Sequence, residues 1–264
     1  MTQVTQVIPT FEEFPNWLAE KLSVELTSRD TVHYNSVTVQ MKDQLLNSSF
    51  WKTFCDNSRE YNDSYFAENG EELLKDKTPP VFKIKPFLSL LDKVYRHDVL
   101  ENTRFPNKPE SGWILPTNWF SEIDDILRTT IVVKYLDGVE YLANRLESLC
   151  SSHSRLMGKC RYIARIEGYY AAHLYFGMEF EIPQKEWETQ KVYSSVEIQI
   201  TTQVKEVIKD LLHSYYEKRR LSASSDDIWQ WKYDSPEFAT NYLGHIIHYV
   251  EGMIVGIRKE KGER

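Results

Sequence analysis

From Ser195 to Thr201 polar and apolar side chains alternate residue by residue. In an extended strand this puts Ser195, Glu197, Gln199 and Thr201 on one face and Val196, Ile198 and Ile200 on the other. The apolar face has to be covered, so this segment commits its part of the chain to a sheet with a packed side. The alternation also sets Glu197 on a rigid element, on the face turned away from the core. A carboxylate presented on a strand that leads directly into a helix is where a phosphoryl-transfer enzyme places a magnesium ligand or a base.

The surrounding segments extend the sheet. The β-branched run 129–133 reads as a buried strand. Residues 136–153 then return to helical spacing, with Val139, Leu142, Ala143, Leu146 and Leu149 on one face. Segments 161–166 and 171–180 are further strands, joined through Glu167-Gly168-Tyr169-Tyr170, and 194–202 completes the sheet. The first third reads as helical over 11–26 and 37–54, broken at Thr27-Ser28-Arg29-Asp30. Residues 56–80, polar and ending in Thr78-Pro79-Pro80, read as a loose connection. A helix is expected from about Lys83 to Tyr95, with Ile84, Phe87, Leu88, Leu91 and Val94 as its apolar stripe. Two more are expected, from Gln203 to about Arg220 and from Pro236 to about Lys259. The fold class is α+β: a mixed sheet flanked by helices, with helical extensions at both ends. The expected division is a helical region over 1–80, a core over 81–220 and a helical extension over 221–264.

With 264 residues, 41% of them hydrophobic, the chain can bury a large core. No apolar run approaches the roughly 20 residues that cross a bilayer, and the N-terminus has no basic start or apolar signal core, so no membrane partner is expected. Cys55, Cys150 and Cys160 are odd in number and widely spaced, which argues against a disulfide framework or zinc site and fits a reducing cytoplasm. A net charge of -7 argues against a general nucleic-acid binder. The basic clusters Lys218-Arg219-Arg220 and Arg258, Lys259, Lys261 and Arg264 read as helix C-termini. His245 and His248, at i and i+3, lack a third metal ligand and read as packing residues. The stripe Phe238, Tyr242, Ile246, Tyr249 and Met253 reads as the face that docks the last helix on the domain.

Four segments, in order, resemble the synthetase domain of the RelA/SpoT-like (p)ppGpp synthetases. Lys83-Ile84-Lys85 with Ser89 and Lys93 resembles the family's R-I-K-S-x-x-S-x-x-x-K helix. Asp125-Ile126-Leu127 resembles its D-x-x-G-x-R entry to a central strand, and Glu167 to His173 resembles N-G-Y-R-S-x-H. The run from Glu197 resembles E-I-Q-I-R-T, with His213 where the family's E-H pair ends. The match spans about residues 81–220 and departs from the pattern at Arg128, Thr130, Glu167, Tyr170, Ala171 and Thr201. The family's hydrolase motifs are not found in the sequence.

The resemblance implies a small nucleotidyltransferase-like synthetase that moves pyrophosphate from ATP to the 3'-hydroxyl of GDP or GTP, releasing AMP. It implies Asp125 and Glu197 as catalytic residues and Mg²⁺ ligands, and Lys83, Lys85, Ser89, Lys93 and Arg128 as the ATP-phosphate set. Tyr169, His173, Gln199 and His213 would meet the acceptor. On the helix expected here, Lys85 and Lys93 fall two turns apart on nearly one face, with Ser89 between them. The alternatives are a toxic branch that pyrophosphorylates the tRNA 3' end or makes adenosine alarmones, and an inactive nucleotide sensor or interaction protein. Acidic Glu167 would repel an acceptor 5'-phosphate. The terminal helical regions are candidates for self-association or for an antitoxin contact.

Overall fold

The computed structural model describes residues 8–153, 158–183, 188–209 and 228–262. Three helices come first: α1 (Phe14–Leu22), α2 (Ser28–Asn47) and α3 (Ser49–Asn69). The break expected at 27–30 is the start of α2. Asp30 accepts from both the backbone N–H and the hydroxyl of Thr27, at 2.9 and 2.8 Å, tying down the first turn. Helix α3 replaces the loose connection expected over 56–80 along most of its length. Ser48 caps it by accepting from the Trp51 N–H, and Phe54, Tyr61 and Tyr65 are buried on one side while the polar residues face outward.

The segment expected as one helix over 83–95 is divided. Lys83–Ile84 form a short strand, β1, and α4 runs over Phe87–Tyr95 with Pro86 as its N-cap. Pro86 sits at φ -59 and ψ 145, so the chain is extended there and turns helical only afterwards. The buried stripe is Leu90, Val94 and Tyr95; Leu88, expected inside, is 70% exposed. A π-helical turn (Arg96–Leu100) and the short α5 (Trp119–Glu122) lead into β2 (Leu127–Val133) and α6 (Leu136–Ser152). Strands β3 (Gly158–Ala164), β4 (Tyr170–Pro183) and β5 (Thr189–Thr202) follow. The last described elements are a helix over 203–209 (α7), a 3-10 turn (Trp229–Trp231) and α8 (Pro236–Gly262).

The five strands form one mixed sheet in the order β1-β2-β5-β4-β3, the fold class expected. Two compact units interleave along the sequence. One comprises Met1–Asn47, Lys83–Arg128 and Gly177–Val196; the other comprises Ser48–Phe82, Thr129–Phe176 and Glu197–Arg264. In the first, α2 buries Tyr34, Val37, Met41 and Leu45, and Tyr34 stacks on Phe120 and meets Trp119 edge-on. In the second, α6 buries all five residues of its expected stripe, and Phe50 meets Phe176 with ring centroids 4.5 Å apart. Among the described residues no helix is long and apolar enough to cross a membrane.

Candidate active site

The first unit carries a cluster of cations around one carboxylate. Strand β1 pairs antiparallel with β2, placing Lys83 opposite Arg128 and Ile84 opposite Leu127. One residue on, the Lys85 N–H donates to the Ile126 carbonyl at 2.9 Å, and the Lys85 carbonyl accepts from the Tyr34 hydroxyl at 2.8 Å. The backbone at Lys85 is thus pinned on both sides. Its ammonium donates to Asp125 Oδ2 at 2.8 Å, and Lys93, from α4, donates to Oδ1 at 2.9 Å. Lys85 is 8% exposed, whereas Lys83 and Arg128 lie open to solvent.

These contacts correct the reading of Lys85 and Lys93 as two rungs of one helix face. Pro86 keeps Lys85 off α4, and the two ammonium groups meet through Asp125 instead. Ser89 lies exposed on α4, one turn before Lys93. Burial alone would raise the Asp125 pKa, but the two lysines outweigh it and hold the carboxyl at about 2. Burial pushes the Lys85 ammonium down despite Asp125, with Lys93 and Arg128 adding repulsion. Contacts under 3 Å to both carboxylate oxygens identify this as an ionised cluster at neutral pH.

The second unit holds the other carboxylate. Glu197 is 4% exposed, not held clear of the interior as the alternation suggested, while Val196, Ile198 and Ile200 are fully buried as expected. Alternation decides which face a side chain takes; it does not decide whether that face is covered. Glu197 Oε1 lies 2.6 Å from His173 Nδ1 and accepts from the Tyr175 hydroxyl at 3.0 Å. His173 Nε2 lies 2.8 Å from the Tyr169 hydroxyl. The tautomer that satisfies every member has Nδ1–H donating to Glu197 and Nε2 accepting from Tyr169. Burial raises the Glu197 pKa, and the hydrogen bonds from His173, Gln199 and Tyr175 more than reverse this, leaving it below the ordinary carboxylate range. The structure therefore brings Tyr169, His173, Gln199 and Glu197 together.

Tyr169 leaves a turn that needs Gly168. Gly168 has φ +78, and a Cβ there would come within 2.4 Å of the Asn241 carbonyl on α8; one on Gly244 would meet the Gly168 carbonyl as closely. His245 completes the seat, with Nε2 2.9 Å from the Ile166 carbonyl and Nδ1 2.7 Å from the Tyr170 hydroxyl, while His248 stacks on Tyr170. Both histidines are packing residues, as expected.

Two cations of β3 escaped the sequence reading. Arg161 pairs in register with His173 and Lys159 with Tyr175, so both share the sheet face of the Glu197 network. Arg161 also lies over the Tyr175 ring, 5.7 Å from its centroid. Only the register reveals them. His213 lies outside the described residues.

Among the described residues no group of three His, Cys, Asp or Glu side chains could hold a metal ion. Magnesium commonly takes only one or two protein carboxylates, with substrate phosphates and water completing its shell. Asp125 and Glu197, each ionised, are carboxylates of that kind.

No protein-family model matches the chain, and no curated protein matches it. Solved structures do. Small alarmone synthetase 1 from Bacillus subtilis is 15% identical with a TM-score of 0.52, over 89% of this chain and 97% of that one. The fold is that of the small alarmone synthetases. The same Bacillus subtilis protein bound to its product pppGpp matches with equal score and coverage. A GTP pyrophosphokinase family protein from Streptococcus pneumoniae is 16% identical with a TM-score of 0.50, over 90% of this chain and 97% of that one. At these identities the likeness is one of architecture.

Proposed function

We propose that this protein transfers pyrophosphate from ATP to the 3'-hydroxyl of GDP or GTP. The acceptor oxygen bonds to the β-phosphorus, the bond from that phosphorus to the bridging oxygen of the α-phosphate breaks, and AMP leaves. The observation that carries the reading is Glu197: a buried carboxylate, kept ionised by a hydrogen-bonded chain through His173 and Tyr169, has the properties of a base for a hydroxyl proton. The small-synthetase fold, and a neighbour of that fold bound to pppGpp, support the choice of reaction.

In this reading Lys83, Lys85, Lys93 and Arg128 neutralise the donor phosphates as charge develops on the leaving group. Glu197 accepts the proton, and His173 fixes the carboxylate's orientation. The Tyr169 ring supports the acceptor base, with Gln199 beside it. Asp125 and Glu197 are each carboxylates that would serve as Mg²⁺ ligands, and the ion would supply further neutralisation of the phosphates.

Incubation with Mg²⁺ and ATP labelled in its β- and γ-phosphates, against GDP, GTP, ATP and deacylated tRNA separately, tests the proposal. Label on GDP or GTP is the expected result. Label on tRNA or ATP alone removes the guanine-nucleotide assignment, and no transfer to any acceptor removes the enzyme reading.

A further inference from the structure

The inward side of α8 is polar or small, and it is built around the turn that presents Tyr169. Asn241, Gly244, His245, His248 and Glu251 recur at intervals of three and four residues, so they share one side of the helix, and Asn241 and Glu251 are buried there. The turn over 166–170 lies against this side. Its approach is backbone to backbone: a Cβ on Gly168 would sit 2.4 Å from the Asn241 carbonyl oxygen, and one on Gly244 would sit 2.4 Å from the Gly168 carbonyl oxygen. His245 adds the side-chain tie. Its Nε2 faces the Ile166 carbonyl at 2.9 Å, and a carbonyl only accepts, so Nε2 carries the proton and Nδ1 accepts from the Tyr170 hydroxyl at 2.7 Å. One ring therefore grips the turn on both sides of Gly168.

We propose that His245 is a positioning residue for the acceptor: it fixes the turn so that the Tyr169 ring stands where an acceptor base stacks. The inference rests on the pyrophosphate-transfer reading, in which Tyr169 supports that base. Tyr169 and Tyr170 leave the turn towards opposite faces of the sheet. The Tyr169 hydroxyl reaches His173, while Tyr170 reaches His245 and stacks on His248 with ring centroids 3.8 Å apart. His245 thus acts from the face away from the Glu197 network, and its effect on the reaction passes through the turn. Further along the same side of α8, His248 accepts from Lys205 at 3.1 Å and Glu251 pairs with Lys205 at 3.0 Å, just past the end of the strand that carries Glu197. The helix therefore ties the start of β4 to the exit of β5, the two strands that build the network. An acceptor base that stacks on a ring already held in place loses less entropy on binding, so releasing the turn should weaken acceptor binding and spare the donor.

Steady-state transfer from ATP to GDP or GTP, with hydrogen exchange over 165–170 read by mass spectrometry on the same preparations, tests the proposal. His245→Phe keeps a flat ring and removes both hydrogen bonds. The acceptor KM should rise roughly ten-fold while kcat and the ATP KM stay within about two-fold. Exchange should quicken across the turn, whose Arg165 and Gly168 N–H groups donate at 3.0 Å to the Tyr169 and Arg165 carbonyls. His245→Gln, whose amide can still donate to the Ile166 carbonyl, should recover part of the acceptor KM. If His245→Phe does not fold, Tyr170→Phe carries the test: it removes one of the two bonds, keeps the ring against His248, and should raise the acceptor KM about four-fold. A folded variant with an unchanged acceptor KM overturns the proposal, and so does a loss confined to kcat, a loss shared equally by both substrates, or a turn whose exchange does not change. A wild-type chain that transfers to no acceptor overturns the functional reading itself, an outcome separate from these because each variant is compared with an active wild type.

Discussion

Asp125, half-buried, and Glu197, buried, are both ionised, but by different means. Asp125 is neutralised by two ammonium groups, each under 3 Å away, and is driven to about 2. Glu197 is held by hydrogen bonds from His173, Tyr175 and Gln199, and it too lies below the ordinary range. An ion-paired carboxylate is a poor proton acceptor and a good anchor for cations; one held by shared protons can take another proton without breaking a Coulomb pair. The difference supports the proposal that Asp125 places charge and Glu197 accepts the proton.

The largest effect should separate those roles. Glu197→Gln keeps an acceptor for His173 and Tyr175 but cannot take the hydroxyl proton, so transfer should fall roughly a hundred- to ten-thousand-fold with the unfolding midpoint nearly unchanged. Full activity in that variant would remove Glu197 from the mechanism. Asp125→Asn should instead show in stability. It leaves buried Lys85 beside Lys93 with no counter-charge, at a cost of about 3 kcal/mol in denaturant unfolding. A loss below about 1 kcal/mol would mean that the cluster relaxes into solvent.

Acid should sharpen the contrast further. A carboxyl lowered on folding contributes stability that is complete above its unfolded pKa and is lost as pH falls through the folded one. For Asp125, from 3.8 to about 2, the window lies between roughly pH 4 and pH 2, and the loss is about 2 kcal/mol. Unfolding free energy measured across that window should fall more steeply in the wild type than in Asp125→Asn. Parallel slopes would show that the lysine pairing contributes nothing to folding.

Much of this architecture was legible from spacing. Helix α6 repeats its apolar residues at helical intervals, and the inner face of β5 is a clean run of Val196, Ile198 and Ile200; in both, the periodic side is the buried side. Four features escaped for separate reasons. In α3 the buried aromatics Tyr61 and Tyr65 are outnumbered by Asn, Asp, Glu and Lys, so composition concealed a regular helix. In α8 the stripe expected to dock the helix leaves Tyr242, Ile246, Tyr249 and Met253 exposed, because periodicity does not say which face is covered. Around Asp125, Pro86 replaced an expected helical spacing with a strand, a cap and a helix, and the lysines converge through space rather than along a helix. The Glu197 network is a cross-strand constellation; Arg161 opposite His173 depends on a register that no single segment encodes.

The smallest effect tests whether Glu197 is tuned by its hydrogen bonds or merely enclosed. Tyr175→Phe keeps the ring and its packing but removes the 3.0 Å donation to Oε1, leaving the His173 contact at 2.6 Å in place. Burial, the largest influence on this carboxyl, favours the protonated form, so removing one opposing donor should move the pKa upward. A base is active when deprotonated, so the acidic limb of the pH–rate profile should shift to higher pH, while the rate on its plateau changes only a few-fold. Tyr169→Phe acts one bond further away, on His173 Nε2, and should move that limb less while raising the acceptor KM little, because the ring remains. If the acidic limb stays fixed in Tyr175→Phe while the plateau collapses, Tyr175 serves the acceptor directly and the comparison between the two carboxylates loses its second half.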